Sequence, residues 1–206
     1  MKVLRYIFLA LAAMMPIAGF AAETASQTIA RVAKTVNDAA SLAVKLKITS
    51  AGETSDLSMT ISRQRFALSS GVIKVWYDGT TQWTYAVKSR ELNISEPTAE
   101  ELLECNPFAI LNHYATAYNV RSLKSEQKGI TSLELTPKAK SGSSIRRAVV
   151  SINSSTHLPT KMIMTMSNGK VLNISITSIT KGNALPASTF VYNKQKFPAS
   201  EVVDLR

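Results

Sequence analysis

The stretch from Val72 to Tyr114 limits the possible folds more than any other, because the periodicity of the chain changes within it. Asp78-Gly79 is a turn dipeptide, since Gly takes positive φ without a Cβ clash and Asp tolerates it. Val75, Trp76 and Tyr77 precede the turn; Trp83, Tyr85 and Val87 follow it. Such aromatic and β-branched residues predict a hairpin, and Glu91 to Ser95 predicts a third extended run. Pro97, Glu100, Glu101 and Glu104 then have the look of a helix start, and Asn106-Pro107 that of the cap and first residue of a second helix. A sheet is therefore interrupted by two short helices. With a four-residue loop, Asp78 to Thr81, the two tryptophans oppose each other and pair as aromatics; with a two-residue loop they do not.

Extended segments lie on both sides of this stretch. Ser26 to Ala43 carries Ile29, Val32, Val36, Ala40 and Ala43 at helical spacing, and near Ser41 the period switches to two. Leu42, Val44, Leu46 and Ile48 alternate with lysines, and Leu57, Met59 and Ile61 alternate with Ser and Thr. Phe66 and Leu68 suggest a further strand. After the short helices come strands from Tyr118, from Gly129 and over "SIRRAVVSIN", then a pair around Asn168-Gly169, a strong hairpin signal. "TFVYN" and "EVVDL" complete the series. About eleven strands, joined by short turns, predict one antiparallel meander that must curl, with three helices. A two-residue loop at Asn168-Gly169 puts Ile163, Thr165, Leu172, Ile174 and Ile176 on one face and Met162, Met164 and Met166 on the other. The first set is the more aliphatic and is expected to face inward. A longer loop or a bulge reverses the assignment.

Composition narrows the class. The chain has 206 residues, 45% hydrophobic and 18% charged, which suffices for one domain with a real core. Its formal charge is +10, but Lys and Arg are scattered, with no run longer than two. A dispersed excess is a solubility feature more often than a binding groove, and no nucleic-acid partner is expected. Residues 1–21 have the pattern of a secretory signal: Lys2 and Arg5, an apolar run from Tyr6 to Met15, and small Gly19 and Ala21 before the cut. An uncleaved anchor is the competing reading, at the short limit of spanning length. Residues 22–206 then form a single domain. The lone Cys105 follows Leu102 and Leu103 at helix spacing, which suits a half-buried thiol better than a nucleophile. The two histidines, His113 and His157, belong to no cluster at metal spacing, and there is no glycine-rich phosphate loop. No catalysis, metal or cofactor is expected.

Several motifs occur in an order that resembles the periplasmic lipoprotein carriers of the LolA-like family. They are "ISRQRFAL" (residues 61–68), "DGTTQWTY" (78–85), "NPFAIL" (106–111), "LELTPKAKSGSSIRRAVVSIN" (133–153) and "TFVYNKQKFPASEVVD" (189–204), after a signal segment and an amphipathic helix. The resemblance covers nearly all of the mature chain. It departs from the family at Arg63-Gln64-Arg65, where the family often has Lys-Arg-Pro, and in an ending that lacks the double Pro and Gly.

The resemblance implies a single open, strongly curved antiparallel sheet, a half-barrel, with helices as a lid over an apolar cavity. It implies a monomeric periplasmic carrier that holds the acyl chains of lipidated proteins, takes them from inner-membrane release machinery and passes them to an outer-membrane acceptor. A lipid- or lipoprotein-sensing module, or a glycolipid transporter, is the alternative on the same fold. The candidate cavity and lid residues are Arg63 as the tie for the lid, with Arg65 its competitor; Trp76, Trp83 and Tyr85 on the hairpin; Leu102, Leu103, Phe108, Ile110 and Leu111 on the short helices; and Ile163, Leu172 and Ile174 on the aliphatic strands.

Overall fold

A computed structural model describes residues 23–139 and 142–206. The predicted signal segment lies outside the described residues. Helix α1 (Ala25–Asn37) begins with a capping box: Gln27 N–H donates to the Thr24 hydroxyl at 3.2 Å, and Thr24 N–H donates back to Gln27 Oε1 at 2.9 Å. Its stripe of Ile29, Val32, Ala33 and Val36 is buried. It ends sooner than the Ala-rich sequence suggests, because Ser41 already pairs as the first residue of the sheet.

Six strands follow: β1 (Ser41–Ser50), β2 (Glu53–Ser62), β3 (Arg65–Ser69), β4 (Ile73–Tyr77), β5 (Gln82–Ala86) and β6 (Glu91–Ser95). Next come α2 (Ala99–Cys105), a single 3-10 turn (Pro107–Ala109) and α3 (Ile110–Ala117). The chain returns to strands with β7 (Tyr118–Leu123), β8 (Ile130–Pro137), β9 (Ile145–Asn153), β10 (Pro159–Met166) and β11 (Val171–Gly182), and ends with β12 (Glu201–Asp204). All twelve form one open sheet in the order β12-β6-β5-β4-β3-β2-β1-β11-β10-β9-β8-β7. The expected half-barrel with a helical lid is the observed architecture. Among the described residues no helix is long and apolar enough to cross a membrane.

The sheet is not one continuous meander, as the sequence suggests, but two. β1–β6 and β7–β11 are joined where β1 pairs with β11, and β12 adds in parallel to β6. The helices therefore connect β6, near one edge, to β7, at the other. They cross the open mouth of the curl because their two ends are anchored on opposite sides of it. The β1–β11 seam contains a bulge between Lys45 and Leu46 pairings, where the Thr177 hydroxyl donates to the Lys45 carbonyl at 3.1 Å. The bulge lets Ile176 and Ile179, three residues apart, oppose Leu46 and Val44 on one face. The predicted strand "TFVYN" is absent; Ala187–Phe190 is a 3-10 turn after Pro186.

The methionine hairpin overturns the expected facing. Met166 N–H donates to the Lys170 carbonyl, and Gly169, at φ +84°, closes a three-residue loop of Ser167, Asn168 and Gly169. Met164 then opposes Leu172, and Met162 opposes Ile174. Met162, Met164 and Met166 are buried, while Ile163 opposes Asn173 on the convex face. One extra loop residue reverses the face of every side chain on β10 relative to β11.

Each face of the sheet carries its own apolar cluster. The large one lies between the concave face and the helices, and includes Ile29, Leu46, Phe66, Ile110, Leu135, Val150 and Met164. The small one is on the convex face of β4–β6: Trp76, Tyr85 and Leu92, covered by Tyr192, Phe197 and Ala199 of the C-terminal segment.

Candidate functional site

Register decides what the concave face presents. Directly opposed residues of neighbouring strands share a face. One row runs Leu42, Ile61, Phe66, Tyr77, Gln82, Ser95 from β1 to β6. Another runs Ile48, Ile174, Met162, Val150, Leu133 toward β7. These side chains are aliphatic or aromatic across most of the sheet; Ser55 of β2, Ser122 of β7 and Thr131 of β8 are polar positions on the same face, and β5 and β6 are polar along most of their length.

The lid stands over this face. Thr98 and Glu101 form a second capping box at α2; Thr98 N–H donates to Glu101 Oε2 at 2.7 Å. That backbone donor, then the Thr98 hydroxyl, holds the Glu101 carboxyl below its usual range. Asn106 caps the next turn, its Oδ1 accepting from Phe108 N–H at 3.0 Å, and Pro107 takes the first position, where no N–H is needed. Phe108, Ala109, Ile110 and Leu111 are buried in consequence, and Ile110 is 0% exposed. α3 packs against α1 and β7.

The lid is held across the mouth by polar bonds. Glu100 Oε2 of α2 accepts from Ser144 N–H at 2.9 Å and from the Ser144 hydroxyl at 3.3 Å. Ser144 immediately precedes β9, so this bond ties the β6 side to the β7–β11 side. The Tyr118 hydroxyl bonds the neighbouring Ser143 at 2.7 Å. Burial pushes the Tyr118 phenol above its usual range; the Ser143 bond opposes this and the Glu100 charge adds to it. Lys138 Nζ donates to the Ala115 carbonyl at 2.6 Å at the end of α3.

A cavity of about 210 Å³ lies between sheet and lid. Gln64, Phe66 and Tyr77 form its sheet side; Pro97, Ala99, Leu102, Asn106, Ala109, Asn112 and His113 form its lid side. The Tyr77 hydroxyl donates to the Gly79 carbonyl at 2.8 Å, and burial, then the Asp78 charge, raises its pKa. Gln64, Asn106, Asn112 and His113 are paired with no carboxylate among the described residues. The lining offers hydrogen bonds and apolar contact rather than a poised acid–base pair. Among the described residues no group of three or more His, Cys, Asp or Glu is placed to hold a metal ion.

The sequence-predicted residues divide by face. Leu102 lines the cavity, and Leu103, Phe108, Ile110 and Leu111 are buried under the lid. Ile174 and Leu172 belong to the same concave core. Trp76 and Trp83 do oppose each other across a four-residue loop, but with Tyr85 they lie on the convex face, across the sheet from the cavity. There Trp76 meets Phe197 at 5.1 Å and Tyr192 at 5.8 Å between ring centroids. Ile163 is convex too. Arg63 is exposed at the β2–β3 turn with φ +55° and bonds to no described side chain; Arg65 sits on the Phe190 ring at 4.9 Å. Among the described residues neither arginine forms a hydrogen bond or ion pair with the lid helices. Gln64, between them, lines the cavity, and Glu100 supplies the tie that an arginine was expected to make. Phe66 and Tyr77 were missed as lining residues, although they alternate with Ala67 and Trp76 and so had to face away from the tryptophans.

Comparison with known proteins bears on the same architecture. The family profile described as outer membrane lipoprotein carrier protein LolA matches residues 17–170. Among curated proteins no sequence matches the chain. An uncharacterized conserved protein from Thermus thermophilus is similar in structure, with a TM-score of 0.58 at 12% identity over 87% of this chain and 98% of that one. A DUF1329 family protein from Desulfovibrio piger gives 0.51 at 11% identity over 82% and 98%. A LolA superfamily protein from Nitrosomonas europaea gives 0.45 at 14% identity over 83% and 99%.

Proposed function

The chain belongs to the LolA family of outer membrane lipoprotein carrier proteins, and from that premise we propose that it is a periplasmic carrier for the acyl chains of lipidated proteins. The observation that carries the proposal is the aliphatic concave face closed by helices that are anchored on opposite sides of the mouth. Acyl chains cannot cross water bare, because each buried CH₂ is worth ~0.8 kcal/mol. A carrier must match that surface and still release it. The concave core supplies the surface, and a lid held by a few polar bonds can open at modest cost. The 210 Å³ cavity is smaller than the roughly 300–1,000 Å³ of ordinary ligand pockets. Loading therefore requires α2 and α3 to lift, and cargo takes the place of the lid's own apolar side chains on the sheet.

In this role the protein performs no bond chemistry. It receives cargo from an inner-membrane release complex and delivers it toward an outer-membrane acceptor. The test is binding of one lipoprotein in lipidated and unlipidated form to the mature protein. Binding of the lipidated form alone is expected; equal binding of both sinks the proposal.

A further inference from the structure

The concave face changes character at one end. From β7 to β4 it presents mainly aliphatic and aromatic side chains, with Ser55, Ser122 and Thr131 as isolated polar positions, but β5 and β6 present Gln82, Thr84, Glu91, Asn93 and Ser95 together, with Ala86 alone apolar. All five are half-buried. They are not a solvated edge: Gln82 follows Tyr77 in the row that crosses the cavity floor, and Ser95 lies two residues before Pro97 on the cavity's lid side.

Two hydrogen bonds organise this patch. Gln82 Nε2 donates to the Thr84 hydroxyl at 3.3 Å, and Asn93 Nδ2 donates to Glu91 Oε1 at 3.0 Å. Gln82 Oε1 is sealed from solvent, and no protein group donates to it. Among the described residues it is the buried side-chain polar atom left in that state. An unsatisfied buried acceptor is costly, and a methionine or leucine would fill the position without that cost. A polar row that continues from the Phe66 and Tyr77 rings of the cavity floor has the character of an amphiphile: chain at one end, headgroup at the other.

We infer that the β5–β6 end of the concave face is a headgroup subsite, in which Gln82 Oε1 accepts a hydrogen bond from an uncharged donor, a hydroxyl or amide N–H, of a bound amphiphile. The inference rests on the carrier reading for the chain portion of the ligand and adds the chemistry of its polar end. Thr84 holds the Gln82 amide through its Nε2; Oε1 is sealed and Gln82 lies outside the cavity lining of the closed structure, so the donor reaches it only in the opened state that loading requires. An N-acylated lipopeptide supplies such a donor in its amide, and a glycolipid supplies it in its sugar hydroxyls.

The test compares wild type with Gln82→Met, using three probes: a triacylated lipopeptide, an alkyl glucoside, and diphenylhexatriene, which is hydrocarbon only. Gln82→Met should weaken one or both headgroup probes about fivefold to tenfold, the worth of one neutral hydrogen bond. Diphenylhexatriene should bind both proteins within about twofold, and thermal stability should stay level or rise, since an unsatisfied acceptor has gone. Loss with the lipopeptide alone assigns the donor to the acylated protein; loss with the glucoside alone assigns it to a sugar. Equal affinity of both proteins for both headgroup probes overturns the inference while leaving the carrier reading intact. A lowered melting temperature with all three probes weakened in parallel overturns it in favour of a purely structural Gln82. If wild type binds the glucoside and not the lipopeptide, the carrier reading falls, and the subsite stands if Gln82→Met weakens the glucoside and falls if it does not. If it binds neither, both fall.

Discussion

Removing the Glu100 carboxylate should open the lid without unfolding the sheet. In Glu100→Ala, Ser144 loses the acceptor of its N–H at 2.9 Å and of its hydroxyl at 3.3 Å. Hydrogen bonds to a charged acceptor are worth about 1.5–3 kcal/mol. Both residues are half-buried, so water replaces part of the interaction and about 1–2 kcal/mol is the reasonable loss. That energy falls on the contact between α2 and the start of β9, and 1.4 kcal/mol is a tenfold change in an equilibrium. Amide hydrogen exchange over α2 should therefore quicken roughly tenfold, while exchange in β1 and β11, the central strands, stays unchanged. Uptake of diphenylhexatriene should quicken in step. Ser144→Ala is the control: it keeps the backbone donor and loses only the longer bond, so its effect should be under about threefold. Unaltered α2 exchange in Glu100→Ala, or acceleration spread evenly over sheet and lid, would refute the argument that this carboxylate holds the lid across the mouth.

Further predictions follow from burial, facing and charge. Ile110, fully buried beneath the lid, should cost about 2–5 kcal/mol as Ala and lower Tm by roughly 5–15 °C in a calorimetric scan. Met164→Ala should cost about 2 kcal/mol or more and Ile163→Ala under about 1 kcal/mol in denaturant titrations; the opposite ranking would mean the hairpin register is wrong. Arg121 and Arg147 donate to the buried Glu134 and hold its carboxyl below the usual range. A depressed folded-state pKa contributes stability that is complete above the unfolded value of about 4.3 and is lost as pH falls through the folded value. Tm measured against pH should therefore drop less steeply below about pH 4.3 in Glu134→Gln than in wild type.

Much of this fold is legible residue by residue. Leu42, Val44, Leu46 and Ile48 alternate with polar neighbours, so β1 could be nothing but a half-buried strand. Thr24 and Gln27, and Thr98 and Glu101, mark two helix starts through capping boxes that involve only residues three apart. Asp78 accepts from Thr80 and Thr81 N–H at 2.9 Å each and shapes its own four-residue loop. Such features are local, and local chemistry is written in local sequence. The helix start that buries Phe108, Ile110 and Leu111 was legible for the same reason, because Asn106-Pro107 sets the helix phase.

What only tertiary structure decided is the pairing of distant segments and the choice of face. β1 and β11 are more than a hundred residues apart, and nothing local says that they meet or that a bulge at Thr177 lets Ile176 and Ile179 share a face. The period of two specifies two faces but not which is inside, and one residue in the loop at Ser167–Gly169 settled that for the methionines. Trp76 and Tyr85 are apolar enough to line a cavity, but Tyr192 and Phe197 return from the C-terminal segment to cover them on the other side. The lid tie behaves in the same way. Arg63 was the tie that the family resemblance implied; the bond found between α2 and the start of β9 is that of Glu100 to Ser144, because only the crossing from β6 to β7 brings the two together.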